Sequence, residues 1–271
     1  MEDRGSDEPG RHSAYVNTLY KGLRAAAEKA DTLLGAAGIF LLAGFIVAAF
    51  GAWVFEEVAD NVEVGATQAF DDAVLRWMGA HHSTALDNIM LEITALGTGT
   101  VVMMIVAVAA LFLVLTRHKY SAILLLVSTS GGLVLNLILK TGFNRPSPTI
   151  FVPEVRAVSS SFPSGHAMSA AIVYGTVAYL AARLHKRRWA RALIMIVALV
   201  VIVLICISRL YLGVHYPSDV VAGVSIGLAW AAFCMATLEA IQRLGARRDP
   251  RILEDETPAP GGAPTGPSSH R

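Results

Sequence analysis

Long apolar runs separated by short polar segments dominate this chain. A helix needs roughly 20 apolar residues to cross a hydrocarbon core of about 30 Å, and several runs come close to that length. We identify six of them, at residues 33–55, 96–116, 120–139, 165–182, 189–207 and 220–238. The pattern predicts an all-α integral membrane protein, folded as a six-helix transmembrane bundle.

Lysine and arginine are distributed unevenly around the six runs. Cytoplasmic loops of membrane proteins are enriched in these residues. Of the 22 in the chain, 17 lie in the N-terminal segment, the turn 117–119, the loop 183–191 and the C-terminal tail. The five on the opposite side are Arg76, Lys140, Arg145, Arg156 and Arg209. An even number of spans with both termini in the cytoplasm explains this division.

Composition supports a membrane protein and argues against other classes. Only 16% of the residues are charged, against about 25% in soluble domains, and mean hydropathy is +0.54. The net charge is +1 and no basic block with interleaved aromatic residues occurs, so we expect no nucleic-acid partner. Cys206 and Cys234 both lie inside apolar runs and are not placed for a disulfide or a metal site.

The runs divide the chain into three parts. Residues 1–32 are predicted to be a cytoplasmic N-terminal segment, residues 33–240 the six-span domain, and residues 241–271 a disordered cytoplasmic tail. The tail is rich in Arg, Pro, Gly and Ser and lacks the apolar surface needed to order itself. The first 20 residues lack an apolar signal-peptide core, so we expect the first run to act as an uncleaved signal anchor.

The acidic segment 56–87 allows three interpretations. It fits an amphipathic helix at the membrane interface, with Phe70, Leu75 and Trp77 as apolar contacts. It also fits a loop packed over a site, or a solvated connector. The sequence does not choose among them.

Side chains suited to catalysis are concentrated in three clusters at predicted ends of spans. They are KTGFNRPSP at 140–148, FPSGH at 162–166 and SRLYLGVHYPSD at 208–219. Ionisable groups at the edge of a membrane are energetically costly and usually functional. Because the predicted topology brings all three clusters to the outer face, we expect an active site at the outer ends of the helices.

The clusters contain groups that suit a phosphate. Lys140, Arg145 and Arg209 offer positive charge and several donors for phosphate oxygens. Ser164 and Gly165 form a turn into the fourth span, where free N–H groups and the positive helix end favour an anion. The lack of a side chain on Gly165 also lets the backbone approach a ligand closely.

Two histidines and an aspartate complete the set. One of His166 and His215 can attack phosphorus while the other protonates the departing oxygen. Asp219 lies four residues after His215 and can accept a hydrogen bond from one imidazole nitrogen, which leaves the other free to attack. A lone histidine at a helix end is more often a capping or solvent-facing residue. We interpret four histidines in that way: His81, His82, His118 and His185.

Together the clusters resemble the tripartite motif of the type 2 phosphatidic acid phosphatase family, which is related to the vanadium-dependent haloperoxidases. The second cluster matches the family's PSGH at 163–166. The third matches its SR-x5-H-x3-D through Ser208, Arg209, His215 and Asp219. The resemblance covers roughly residues 85–235. The haloperoxidase relatives are soluble, so the apolar runs favour the phosphatase branch.

The first cluster departs from the family pattern. The family has a lysine, six residues and then Arg-Pro, a spacing that from Lys140 leads to Ser147 and Pro148. A serine therefore stands where the resemblance predicts an arginine. Arg145 is our first candidate to replace that phosphate contact, and Arg156 is the second.

The resemblance implies a two-step phosphoryl transfer that needs no metal and no cofactor. His215 would attack phosphorus, His166 would protonate the leaving oxygen, and water would then hydrolyse the phosphohistidine. The phosphate oxygens would be bound by Lys140, Arg145, Ser164, Gly165 and Arg209. Vanadate, which mimics the trigonal-bipyramidal phosphorus, is expected to inhibit.

The expected substrate is a lipid phosphate held in the bilayer. Undecaprenyl diphosphate, phosphatidate and phosphatidylglycerol phosphate all fit the predicted geometry. Two alternatives stay open: a lipid phosphotransferase, and a catalytically weak membrane protein that binds lipid phosphates. The oligomeric state is not determined by the sequence.

Overall fold

The computed structural model describes Gly38 and residues 41–149 and 160–248. All regular secondary structure in these residues is helical, which confirms the all-α prediction. We number the helices in chain order. They are α1 (Leu41–Glu63), α2 (Gln68–Gly79), α3 (Thr84–Ala95), α4 (Gly99–Leu115), α5 (Lys119–Gly142), α6 (Gly165–Arg183), α7 (Arg188–Tyr211) and α8 (Pro217–Arg248).

Several of these helices are long and apolar enough to cross a membrane. Among the described residues, α1, α5, α7 and α8 qualify individually. Helices α3 and α4 qualify as a fifth span when taken together, with a bend of 46° at the short break between them. The protein is therefore a multi-pass membrane protein.

The fourth predicted run forms α6, which is less apolar than the helices just named. It lies at the centre of the bundle and packs against α4, α5, α7 and α8. Its buried residues include many alanines, together with Met168, Ile172, Val173 and Thr176. A helix surrounded by other helices faces protein rather than lipid, so small and weakly polar residues are tolerated along it.

Close contact between α6 and α8 sets the geometry of one end of the bundle. A Cβ atom on Gly223 would lie 2.6 Å from the carbonyl oxygen of Ser164, and one on Gly227 would lie 2.9 Å from that of Met168. Only glycine allows the two backbones to approach this closely. The backbone N–H of Ser164 donates to the carbonyl oxygen of Asp219 at 3.0 Å. The start of α6 is thereby joined to the start of α8, and we call this end of the bundle the site end.

Two helix boundaries differ from the sequence prediction. Helix α1 continues to Glu63, beyond the predicted end of the run at residue 55. The end of the apolar run is therefore not the end of the helix. Helix α8 continues to Arg248, into the predicted tail 241–271. Residues 241–248 contain good helix formers, which allow the backbone hydrogen bonds to continue. Residues 1–32, the rest of the tail and the predicted start of the first run lie outside the described residues.

The acidic segment 56–87 is mostly helical and covers the site end. After the end of α1 it forms α2 and the start of α3, and α2 packs against α7 and α8. Leu75 and Asp71 are fully buried, whereas Phe70 and Trp77 are exposed. Of the three interpretations, packing over a site is therefore the one that describes Asp71 and Leu75.

Candidate active site

The three sequence clusters meet at the site end. Lys140 lies in the last turn of α5, and Gly165 begins α6. Arg209 lies in the last turn of α7, and Asp219 lies in the first turn of α8. His215 is in the connection 212–216 between those two helices. Residues from four helices and one loop are thus brought together.

His215 and Asp219 form a buried pair. His215 is 3% exposed and Asp219 is 0% exposed. Nδ1 of His215 lies 3.5 Å from Oδ2 of Asp219, and the same oxygen accepts a hydrogen bond from the backbone N–H of Tyr216 at 2.9 Å. Burial lowers the pKa of His215, although the Asp219 carboxylate opposes this effect. The imidazole is therefore favoured in its neutral form.

The N-terminus of α6 faces the same space. Ser164 is the N-cap residue and is fully buried, and its Oγ has no hydrogen-bond partner among the described residues. A Cβ on Gly165 would lie 3.2 Å from Nδ2 of Asn136 and 3.6 Å from Cε of Lys140. The side chain of Lys140 therefore lies against the start of α6. Its Nζ donates to the carbonyl oxygen of Ser160 at 3.0 Å.

Arg209 is held by a helix outside the three clusters. It is 6% exposed, and its Nη1 donates to Oγ1 of Thr94 in α3 at 2.8 Å. Its Nε is buried without a partner in the described part of the chain. Buried polar groups are normally hydrogen-bonded, so the unpaired guanidinium nitrogen of Arg209 and the unpaired hydroxyl of Ser164 are typical of a site that receives a polar ligand.

His166 lies in the first turn of α6, against the break between α3 and α4. A Cβ on Gly97 would lie 3.0 Å from Cδ2 of His166, so this position leaves no room for a side chain. The charged or titratable neighbours that act on His166 are Arg209, His215 and Lys140. The two predicted catalytic histidines therefore belong to one cluster.

Arg145 contacts carboxylates on both of its terminal nitrogens. Nη1 donates to Oδ1 of Asp219 at 2.6 Å and to Oγ of Ser218 at 2.8 Å. Nη2 donates to Oδ2 of Asp71 at 2.9 Å and to Oε1 of Gln68 at 3.4 Å. Burial acts to lower the pKa of Arg145, but Asp219 and Asp71 outweigh it, and the pKa is raised.

The predicted contact between Arg145 and phosphate stays a prediction, because both terminal nitrogens of Arg145 already donate to protein side chains. Ser147 is half-buried, and the second candidate, Arg156, lies outside the described residues. The Arg145 side chain also lies over the ring of Tyr216, with Cζ 4.1 Å from the ring centroid. This contact with Tyr216 and the hydrogen bonds to the two carboxylates hold the guanidinium of Arg145 next to Asp219.

Sequence reasoning missed Asp71 and Thr94. Asp71 belongs to an acidic segment whose carboxylates the sequence does not distinguish, and Thr94 lies just before a predicted span. Their partners lie far away in the sequence: Asp71 is 147 residues from Ser218, and Thr94 is 115 residues from Arg209. Among the described residues, no group of three or more His, Cys, Asp or Glu side chains is arranged to hold a metal ion.

Comparison with known proteins identifies the family of this chain. Residues 120–243 match the family model of the PAP2 superfamily. Phosphatidylglycerophosphatase B of Bacillus subtilis is 34% identical over 172 residues, which cover 63% of this chain and 84% of that protein. The chain belongs to the PAP2 superfamily. Because its relatives are phosphatases, this PAP2 protein is a phosphatase, a hydrolase of phosphate esters or diphosphates.

One further PAP2 relative and one solved structure are informative. Undecaprenyl-diphosphatase of Sulfolobus acidocaldarius is 32% identical over 140 residues, 49% of this chain and 63% of that protein. The crystal structure of a transmembrane PAP2-type phosphatidylglycerolphosphate phosphatase from Bacillus subtilis superposes with a TM-score of 0.65 and 31% identity. The superposition covers 70% of this chain and 94% of the Bacillus chain. The PAP2 family match includes all three clusters, whereas Asp71 and Thr94 precede it.

Proposed function

We propose that this PAP2 protein removes a phosphate group from a lipid monophosphate or diphosphate through a phosphohistidine formed on His215. The observation that supports this most directly is the set of unpaired buried groups beside the His215–Asp219 pair. Ser164 Oγ and Arg209 Nε are both buried and have no partner in the described residues. Three phosphoryl oxygens would supply the missing acceptors.

The first step forms a nitrogen–phosphorus bond. The lone pair of Nε2 of His215 attacks phosphorus, the bond from phosphorus to the lipid oxygen breaks, and His166 donates a proton to that leaving oxygen. Asp219, 3.5 Å from Nδ1, stabilises the positive charge that develops on the ring of His215. The products of this step are the dephosphorylated lipid and the phosphohistidine.

The second step regenerates the enzyme. His166, now neutral, accepts a proton from a water molecule whose oxygen attacks phosphorus. The nitrogen–phosphorus bond breaks, its electron pair returns to His215, and inorganic phosphate leaves. Neither step consumes an external oxidant, reductant or cofactor, and both rely on positioned charges, as phosphoryl transfer generally does.

The phosphate itself would be bound at the start of α6. The N–H group of Gly165, the hydroxyl of Ser164 and the positive end of the helix favour an anion. Lys140 and Arg209 approach the same point from α5 and α7, and they would neutralise the oxygens of the transition state. Arg145, the remaining predicted phosphate ligand, would contribute its charge from behind Asp219.

We further propose the membrane arrangement predicted above. The six-span domain at 33–240 uses α6 as its central, weakly apolar span, and the segments 1–32 and 241–271 are cytoplasmic. The supporting observation is the charge division, with 17 of 22 lysines and arginines on one side. The site end then faces away from the cytoplasm, where a lipid headgroup of the outer leaflet would reach it.

Phosphate release from a panel of lipids tests this function. Purified protein in detergent, with a chelator present, is given phosphatidylglycerol phosphate, undecaprenyl diphosphate and phosphatidate in separate assays. The activities for which the Bacillus and Sulfolobus relatives are named make the first two the leading candidates. We expect release from at least one of them without added metal.

Two other outcomes of the panel would contradict parts of the proposal. Phosphate that appears only on an added lipid acceptor would replace the hydrolase with a phosphotransferase. Activity that disappears with the chelator and returns with a divalent metal would overturn the metal-independent mechanism.

The pH dependence of the reaction follows from the buried state of His215. Only neutral imidazole can attack, so activity is lost as the pH falls through the pKa of His215. Because burial lowers that pKa from its ordinary value of about 6.5, we expect the acid limb of kcat/KM to be centred below pH 6.5. The measurement uses a monophosphate and a diphosphate, since a limb shared by both belongs to the enzyme. A shared limb centred above pH 6.5 would contradict the assignment.

A further inference from the structure

We propose that Asp71 is a positioning residue for the His215–Asp219 pair and acts on it through Arg145 and Ser218. The inference rests on the proposed role of His215 and adds to the site a residue from α2, outside all three motif clusters. Four observations support it: the burial of Asp71, its hydrogen bonds, the placement of Arg145 between two carboxylates, and the anchoring of the start of α8.

Asp71 is fully buried and each of its oxygens is engaged. Oδ1 accepts the backbone N–H of Ser218 at 3.0 Å. Oδ2 accepts the hydroxyl of Ser218 at 2.5 Å and Nη2 of Arg145 at 2.9 Å. A buried carboxylate is energetically costly unless it is paired and hydrogen-bonded. The full set of partners shows that this burial is compensated.

Arg145 joins Asp71 to Asp219. Its Nη1 lies 2.6 Å from Oδ1 of Asp219, while Nη2 lies 2.9 Å from Oδ2 of Asp71. Oδ1 of Asp219 is therefore committed to Arg145, and Oδ2 is the oxygen that faces His215. The chain of contacts thereby selects which carboxylate oxygen supports the imidazole, a role that second partners of catalytic histidines commonly have.

Asp71 also provides a second negative charge that compensates the positive charge of Arg145. Without the negative charge of Asp71, the positive charge of Arg145 would be less compensated. It would then offset more of the stabilisation that the Asp219 carboxylate gives to a positively charged His215 ring. The other charged or titratable groups that act on His215 or on His166 are Lys140 from α5 and Arg209 from α7. Both are cations, so Asp219 is the main group that opposes them.

The contact with Ser218 fixes the first turn of α8. Ser218 follows Pro217, where α8 begins, so its backbone N–H has no partner inside the helix. Asp71 accepts this free N–H from another helix, as a capping carboxylate would. The position of Asp219, one residue further on, therefore depends on α2 as well as on α8.

The test compares Asp71→Asn with Asp72→Asn. Asparagine keeps the shape of Asp71 and removes its charge. We expect kcat to fall roughly 10- to 100-fold, KM to change less than about threefold, and the acid limb of the pH profile to move to lower pH. Asp72 is the matched control, because its carboxylate accepts a hydrogen bond from Gln68 within α2 in an exposed contact. Asp72→Asn is expected to behave like the unaltered protein.

A double-mutant cycle separates positioning from a purely structural role. If Asp71 acts through Arg145, then Asp71→Asn should cost much less activity in an Arg145→Met background than in the unaltered protein. Active-site concentration is measured by stoichiometric labelling with phosphorylated lipid, so loss of folded protein is not mistaken for loss of rate. Equal costs in both backgrounds, or an unmoved acid limb, would overturn the inference.

Failure of the inference can be distinguished from failure of the proposed function. If the unaltered protein releases phosphate and His215→Ala does not, while Asp71→Asn matches Asp72→Asn, only the role of Asp71 is wrong. If His215→Ala remains active, the proposed mechanism is wrong, whatever Asp71→Asn does.

Discussion

Replacing His215 with alanine is expected to lower phosphate release from the lipid substrate by at least about 10⁴-fold, because the variant has no atom that can form the bond to phosphorus. The side chain is buried and pairs with Asp219, so its imidazole is held in one position. The loss should appear in kcat, measured as inorganic phosphate released in detergent. Rapid quenching with radiolabelled lipid should give an acid-labile label on the unaltered protein and none on the variant.

His81→Ala is the matched control for this variant. His81 also lies near the site end, in the segment that joins α2 to α3, but it is exposed and its Nδ1 contacts only the carbonyl oxygen of Trp77 among the contacts described. We expect normal activity from it. A His215→Ala protein that elutes and melts like the unaltered one and still turns over at more than a few per cent of its rate would end the nucleophile assignment.

Replacing Arg209 with methionine is expected to lower kcat/KM by about 10²- to 10³-fold, the usual effect of removing one donor that stabilises developing negative charge. Arg209 is buried, and its Nε has no partner among the described residues while Nη1 is held by Thr94. Vanadate inhibition should weaken in proportion, since the same contact binds the pentavalent mimic. The measurements are kcat/KM with a lipid phosphate and the inhibition constant for vanadate.

Two further variants define what Arg209 contributes. Arg209→Lys keeps the positive charge but loses the fork that reaches Thr94 and phosphate together, so intermediate activity is expected. Arg76→Gln removes an exposed arginine from α2 and is expected to leave activity unchanged. If Arg209→Met lowered vanadate affinity no more than Arg76→Gln does, Arg209 would not be a phosphate ligand.

The helical fold was predictable because the signal for a membrane helix is local. Each apolar run is a continuous stretch, and each of the six predicted runs coincides with one of the helices α1 and α4–α8 where the structure describes it. The breaks and extensions were not predictable. The bend between α3 and α4, which brings Gly97 against His166, depends on packing with α6 and α7 rather than on the hydropathy of residues 96–116.

The three clusters and their common end of the bundle follow from local signals in the sequence. Motif spacing relates residues within one turn or loop, such as His215 and Asp219, and an even alternation of spans brings successive loops to alternate sides. Those relations need only the local geometry of a helix and the thickness of a bilayer.

The distant side chains that complete the site are identified by the packing of the helices and not by the sequence. Arg145 was expected to contact phosphate, yet its described partners are Asp219, 74 residues away, and Asp71, in a segment whose role the sequence left open. Thr94 was likewise not recognised as the partner of Arg209. Pairings of this kind depend on the angles at which helices pack and on the need to neutralise each buried charge. Neither the packing angles nor the pairing of buried charges can be inferred from the sequence of any single helix.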